Sequence, residues 1–379
     1  MTPAAAIPYR PGTMHEQRLT RFRHRMGEDG LDVAVLVPGP NLRYLTGLTV
    51  GPSERLFLGV VPKDGAMRLL VPELERPAVE PEVPAEVPIA SHRDEAGPDR
   101  ALAQLAHDVG LGSARVGVEH GRMRVRELRA LERHADPASI ADLDPTAMAL
   151  RRIKDEAEIA SLRRAIGLSE ALLDAMVNAM EPGVTERDVV RAFERARIES
   201  ECEAVPFGPI VASGPNTESP HAEPGERALQ AGDLVTIDCG AVVDGYPGDI
   251  TRNVAVGELD PERERIHQVV LEANEAGREA CRPGATAASV DRAARAVIED
   301  AGYGDYFVHR TGHGMGLEVH EPPDIMAGND EALEPNMVFT VEPGVYVPGV
   351  GGARVEDDML VTPNGAESLT RYPRELTRR

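Results

Sequence analysis

Four carboxylates and one imidazole in the last third of the chain have the types and spacing to hold metal: Asp238, Asp249, His313, Glu342 and Glu356. They lie in VTIDCGAVVDGYPGDITRN, RTGHGMGLEVHEPP, FTVEPGVY and GGARVEDD. Together they carry about four negative charges, which two divalent cations would neutralise, and such a cluster buried without cations would be very costly. The stoichiometry points to hydrolysis at a metal pair. Two further imidazoles, His221 in SGPNTESPHAEPG and His320 in VHEPP, are free to contact substrate or steady a charged intermediate.

These side chains need strands to aim them. LVTIDCGAVVDGYPGDITRNVAV reads as a β-hairpin turning at Asp244-Gly245, a strong two-residue turn signal. Counting outward from the turn places Asp238 opposite Thr251 and makes Asp249 its diagonal neighbour on the same face. A bulge at Tyr246-Pro247-Gly248 would change that register. Farther on, alternation sets Thr340 and Glu342 on the face opposite Phe339 and Val341, and Arg354 and Glu356 opposite Ala353 and Val355. The loop EPGVYVPGVGG joins these strands, and the glycines flanking His313 allow close approach of backbone or substrate.

The hairpin and the later strands each follow a helix pair, and the helix pairs repeat. Pro182, Gly183, Val184 and Thr185 recur as Pro283, Gly284, Ala285 and Thr286, and Val189, Arg191 and Ala192 recur as Val290, Arg292 and Ala293. In each copy Pro-Gly closes one helix and the Thr is placed to cap the next. The two aspartates follow the first pair; the His and both glutamates follow the second.

Upstream, residues 15–145 alternate helical and strand patterns, with a helix near 15–29 presenting Leu19, Phe22 and Met26 and with strands in LDVAVLV, RLFLGVV, MRLLVP and ARVGVE. Helical runs fall near 100–109 and 122–134. The Pro- and Glu-rich stretch 72–100 reads as an exposed connection. The expected domains are 1–148 and 149–379, the second opening on the amphipathic helix KDEAEIASLRRAIGLSEALLDAMVNAM.

A net charge of -22, from 63 acidic and 41 basic residues, repels nucleic acid and anionic membrane. Only Lys63 and Lys154 are lysines, which with few aromatics and no Trp suggests an acidic, salt-adapted proteome; an ordinary acidic cytosolic protein is the alternative. Cys202, Cys239 and Cys281 are too few and scattered for a disulfide framework or thiolate metal site, so a reducing cytoplasm is expected, with Cys239 as core packing. The N-terminal stretch carries no secretory pattern, and no run is long enough to span a membrane.

The segments SGPNTESPHA, IDCGAVVDGYPGDITRNVAVG, HRTGHGMGLEVHEPP, TVEPGVY and ARVEDD resemble those of the M24 metallopeptidases, the pita-bread family of Xaa-Pro dipeptidase, Xaa-Pro aminopeptidase, methionine aminopeptidase and creatinase. NLRYLTGL and RRIKDEAEI resemble the creatinase/prolidase N-terminal domain. The resemblance implies an α/β creatinase/prolidase-like N-terminal domain and an α+β pita-bread catalytic domain with an internal pseudo-twofold repeat. It implies Asp238 on one metal, His313 and Glu342 on the other, and Asp249 and Glu356 bridging. His221 and His320 match substrate- and intermediate-binding histidines; Tyr346 and Arg354 match accessory positions.

The implied reaction is hydrolysis of Xaa-Pro bonds in short proline-containing peptides, with Glu342 shuttling the proton and His320 beside the developing oxyanion. Mn²⁺ is the expected metal, with Co²⁺ or Zn²⁺ able to substitute, and a homodimer is expected. The alternatives are an aminopeptidase acting on longer Xaa-Pro peptides, an M24 hydrolase of an ectoine- or creatine-like amide or amidine, and a non-catalytic peptide-binding module. The chain departs from the family pattern at Ala353, where a larger aliphatic residue is common, and at Asn253, where TRT is frequent.

Overall fold

The computed structural model describes residues 14–379, so the reading of the first 13 residues as free of a targeting segment lies outside the described residues. Two compact units divide after Arg151.

The first unit runs α1 (Met14–Glu28), β1 (Val33–Leu36), α2 (Pro40–Thr46), β2 (Leu58–Pro62), β3 (Arg68–Pro72), α3 (Arg76–Val79), β4 (Ile89–His92), α4 (Asp99–Asp108), β5 (Val116–Val118), α5 (Val125–Leu131), β6 (Ile140–Asp142) and α6 (Asp144–Arg151). Its mixed sheet has the order β4-β3-β2-β1-β5-β6. The apolar runs of β1 and β2 are buried along their whole length, as strands covered on both faces must be. Two expectations change here. The stretch 72–100 contains α3 and the edge strand β4, which pairs parallel with β3, so it is not merely an exposed connection. On α1 the buried stripe is His15, Arg18, Phe22 and Met26, with Leu19 only partly covered. Arg18 is buried because its guanidinium lies 4.3 Å over the Tyr44 ring and donates to the Tyr44 carbonyl.

The second unit opens with α7 (Glu156–Asn178) and α8 (Glu186–Ile198). The strands β7 (Ile210–Ser213), β8 (Asp233–Cys239), β9 (Val242–Val243), β10 (Tyr246–Pro247) and β11 (Ile250–Val256) follow. The second helix pair is α9 (Pro261–Ala280) and α10 (Ala287–Asp300). After it come β12 (Gly312–Gly314), β13 (Glu321–Ile325), β14 (Val338–Val341), β15 (Gly344–Val347), β16 (Gly351–Arg354), β17 (Asp357–Thr362), β18 (Gly365–Ser368) and β19 (Thr377–Arg378). One sheet has the order β19-β11-β8-β7 and the other β13-β12-β14-β17-β18; β9–β10 and β15–β16 form two-stranded ribbons.

The repeat is present in three dimensions. Thr185 accepts from the Asp188 amide and Thr286 from the Ser289 amide, each at 3.1 Å, capping α8 and α10. The Pro-Gly turns also bond alike: Gly183 N donates to Leu229 O and Leu229 N to Val184 O, while Gly284 N donates to Leu333 O and Leu333 N to Ala285 O. Helices α7 and α8 pack their apolar faces on β8 and β11, burying Leu173, Phe193, Ile237 and Cys239 in one core. Helices α9 and α10 bury Ile266, Val270 and Ile298 against Val345, Ala353 and Val355 in another.

Candidate active site

The hairpin register follows from its turn. Asp244 and Gly245 both take positive φ, 53° and 81°, as a type I′ turn requires. The pairing counts outward without a slip, from Val243 opposite Tyr246 to Asp238 opposite Thr251, so no bulge displaces the aspartates. Cys239 points into the core, and Asp238 and Asp249 face the opposite way into a cavity of about 790 Å³.

The second half supplies the rest of that cavity. His313 sits on β12, where a Cβ on Gly312 would collide with the Thr340 carbonyl and one on Gly314 with the Pro322 carbonyl, so only glycine lets the neighbouring strands close in. His313 Nδ1 lies 3.2 Å from the Gly314 carbonyl, which directs the Nε2 lone pair toward Glu342 Oε1 at 3.3 Å and Asp249 Oδ2 at 3.9 Å. Ligand atoms of Asp249, His313 and Glu356 lie within 4.8 Å of one another. Asp238 lines the same cavity but turns to Arg354, whose Nη2 donates to Oδ2 at 2.5 Å. His221 and His320 line it too, and the His320 ring stands edge-on to His313 with centroids 4.3 Å apart.

The electrostatics demand cations. Burial, then the charges of Glu356 and Asp238, push Asp249 well above the usual carboxylate range. Burial, then Glu342 and Asp238, does the same to Glu356. Burial also raises Asp238 against the pull of Arg354, and lifts Glu342 to about 7. His313 is driven down to about 3, mainly by burial and then by His320, so it is a neutral imidazole fit to ligate. Asp238 Oδ1 and Asp249 Oδ1 are buried with no hydrogen-bond partner. Orphaned carboxylate oxygens on a shared cavity with a neutral imidazole are the donor set of hard divalent cations. The residues present therefore fit a metal pair.

The sequence pattern of metallopeptidase family M24 matches residues 160–363, and that of the creatinase/prolidase N-terminal domain matches residues 18–153. The chain belongs to metallopeptidase family M24. A relative, an uncharacterized peptidase of Staphylococcus aureus, is 35% identical over 355 residues, 94% of this chain and 99% of that one. Among solved structures, a dipeptidase from Pyrococcus horikoshii OT3 is 38% identical with a TM-score of 0.90, covering 96% of this chain and 100% of that one. A prolidase from Thermococcus sibiricus is 33% identical with a TM-score of 0.92, covering 97% and 100%. An Xaa-Pro dipeptidase from Bacillus anthracis is 31% identical with a TM-score of 0.88, covering 96% and 100%. The two units are thus the creatinase/prolidase-like domain and the pita-bread domain of an M24 protein.

Several residues of this M24 site lie beyond what the motifs single out. Thr251 donates to Glu356 Oε2 at 2.6 Å and receives Arg354 Nε at 3.1 Å, joining the two halves. His309, four residues before His313, places Nε2 3.0 Å from the Tyr346 hydroxyl, which also accepts from Arg354 Nη1 at 2.8 Å. Burial lowers His309 to about 4, so it bonds Tyr346 as a neutral ring. Asn253, the departure from the common TRT, donates to the Arg354 carbonyl at 2.8 Å and accepts from Thr236, so it braces the arginine from behind. Arg252 is buried and fans out to the carbonyls of Glu356, Tyr372 and Pro373 and to the Asp357 carboxylate. Hydrogen-bonding residue types at Thr251 and His309 are the only signal the sequence offers, and it is shared by many residues with no such role.

Proposed function

We propose that this protein is a metal-dependent peptidase that hydrolyses the Xaa-Pro bond of short peptides, as an Xaa-Pro dipeptidase does. The observation that carries this reading is one cavity holding Asp238, Asp249, His313, Glu342 and Glu356 together with His221 and His320. The solved proteins it resembles over nearly their whole length, a dipeptidase, a prolidase and an Xaa-Pro dipeptidase, support the substrate class. Phe207, Pro209, Ile210, Pro220 and Pro224 give the cavity an apolar wall suited to a pyrrolidine ring.

Asp238, Asp249, His313, Glu342 and Glu356 would hold two divalent cations. When bound, the cations supply Lewis-acid polarisation of the scissile carbonyl and acidify an attacking water to near neutral pH. Glu342 is the least buried of the four carboxylates, which suits it to accept the water's proton and return it to the proline nitrogen. His320, whose pKa is lowered by burial and by Arg310, is a neutral N–H donor to the oxygen that develops negative charge. Arg354 holds Asp238 and Tyr346 in place, and His221 at the mouth meets the substrate's far end. Carboxylate-rich coordination with one imidazole favours Mn²⁺, with Co²⁺ and Zn²⁺ able to substitute. The same reading includes a cytoplasmic homodimer adapted to salt, in keeping with the charge of -22.

The test is hydrolysis of Xaa-Pro dipeptides, longer Xaa-Pro peptides and cyclic amide solutes by chelator-treated protein, before and after adding Mn²⁺ or Co²⁺. Metal-restored cleavage of Xaa-Pro bonds is expected. No turnover of any Xaa-Pro bond under either metal would sink the proposal.

A further inference from the structure

The carboxylate of Glu186, in the first turn of α8, is fully buried and takes no part in the chemistry described above. A buried carboxylate persists only where donors satisfy it, and four do. Oε1 accepts from the Ser213 amide at 2.8 Å, the Ser213 hydroxyl at 2.6 Å and the Asn216 side chain at 2.9 Å, while Oε2 accepts from the Gly225 amide at 2.9 Å. All four donors lie at the two ends of one segment, 213–225. Between those ends the segment supplies Pro220, His221, Ala222, Glu223 and Pro224 to the cavity. Its middle is held from the second half, where the Gly352 amide donates to the Thr217 hydroxyl at 2.8 Å and Arg354 Nη1 to the Pro220 carbonyl at 3.3 Å.

The internal repeat separates what this carboxylate does from what the fold requires. In the first copy the Glu186 and Arg187 amides donate to the carbonyls of Arg227 and Gly225; in the second the Ala287 and Ala288 amides donate to the carbonyls of Glu331 and Asn329. The backbone pattern is the same, yet where the first copy has Glu186 the second has Ala287. A helix of this repeat therefore closes onto its following loop without a carboxylate, and what Glu186 adds is particular to the segment that carries His221. We propose that Glu186 is a positioning residue, fixing both ends of segment 213–225 so that His221 meets the substrate in a set orientation, a role that rests on the Xaa-Pro reading above. The task needs acceptors on both oxygens. Glutamine has the same size but offers one oxygen and turns an NH2 toward either the Gly225 amide or the Ser213–Asn216 donors.

The experiment measures kcat and KM for Ala-Pro on Mn²⁺-loaded wild type, Glu186→Gln, His221→Ala and the double variant, together with hydrogen exchange of peptides covering 213–225. In Glu186→Gln, exchange of that segment is expected to quicken on the order of 10-fold, the worth of one charge-assisted hydrogen bond. Exchange of 287–300 and bound Mn²⁺ should stay as in wild type. KM is expected to rise on the order of 3- to 30-fold with kcat changed less, and the rise to disappear when His221 is already alanine. An equal rise in the His221→Ala background, loss of Mn²⁺ in step with activity, or unchanged exchange of 213–225 would each overturn the role of Glu186 while leaving the Xaa-Pro reading intact. Wild type that hydrolyses no Xaa-Pro dipeptide would overturn that reading and the role with it. Asn216→Ala withdraws one donor from the same carboxylate; it should give the same pattern at smaller amplitude, and its result decides the matter if Glu186→Gln fails to fold.

Discussion

Replacing Glu342 by Gln isolates the cost of holding this cavity without metal. Burial raises Glu342 from 4.5 to about 7, so the folded chelated protein binds that proton more tightly than the unfolded chain. The resulting stabilisation is complete below about pH 4.5 and is lost as pH rises through about 7. A shift of that size corresponds to about 3 kcal/mol, most of which disappears between pH 5 and pH 8. The buried histidines act in the opposite sense. His309 and His313, depressed to about 4 and 3, add stability as pH rises toward 6.5, so an absolute melting curve mixes both signs. The difference between wild type and Glu342→Gln removes most of the histidine contribution. In chelator, that difference should move against wild type by about 2–3 kcal/mol from pH 5 to pH 8, or about 5–10 °C in melting temperature for a unit of this size. Calorimetry and urea titration at the two pH values measure it. With saturating Mn²⁺ the trend should vanish, because cations replace the proton. A wild-type advantage that stays constant or grows with pH in chelator refutes the reasoning.

Asp249→Asn and Glu356→Gln each remove a carboxylate from the proposed ligand set; elemental analysis should find depleted metal, with activity down at least about 100-fold, more than loss of a supporting residue costs. Thr251→Val deletes the 2.6 Å hydrogen bond to Glu356, and competition with a chelator should show metal affinity weakened about 10- to 100-fold. Arg252→Met leaves four carbonyls without that partner and Asp357 with only Arg278 and Arg374, and urea denaturation should show a loss of about 2–3 kcal/mol.

The hairpin was legible because Asp-Gly fixes a turn and strand alternation then fixes which side chains share a face. The capping threonines of the repeat were legible for a similar reason: their partners lie three residues away. The edge strand Ile89–His92 was hidden by its setting, a short apolar run among prolines and glutamates whose strand character comes from pairing with β3. Arg18 has no such signature, because a charged residue reads as solvent-facing and only the Tyr44 ring and carbonyl beside it account for its burial. Thr251, His309 and Asn253 acquire their roles from groups distant in sequence; the Thr251–Glu356 bond, for instance, spans 105 residues. No local pattern encodes such partners.

Arg252 also sets the order in which the site can be assembled during synthesis. Its hydrogen bonds reach Tyr372 and Pro373, and β19 then adds Thr377 and Arg378 as the edge strand beside β11. The aspartates of the hairpin leave the ribosome long before these residues exist. Until they arrive, a buried guanidinium lacks two of its acceptors and the hairpin carrying Asp238 and Asp249 lacks an edge. Chains are made and folded from the N-terminal side, so the nascent protein passes through a stage in which the hairpin aspartates are made while their brace and the later glutamate ligands are not yet available. Stable cation binding is therefore expected of the finished chain, and a ribosome-stalled product ending before Tyr372 should not retain metal.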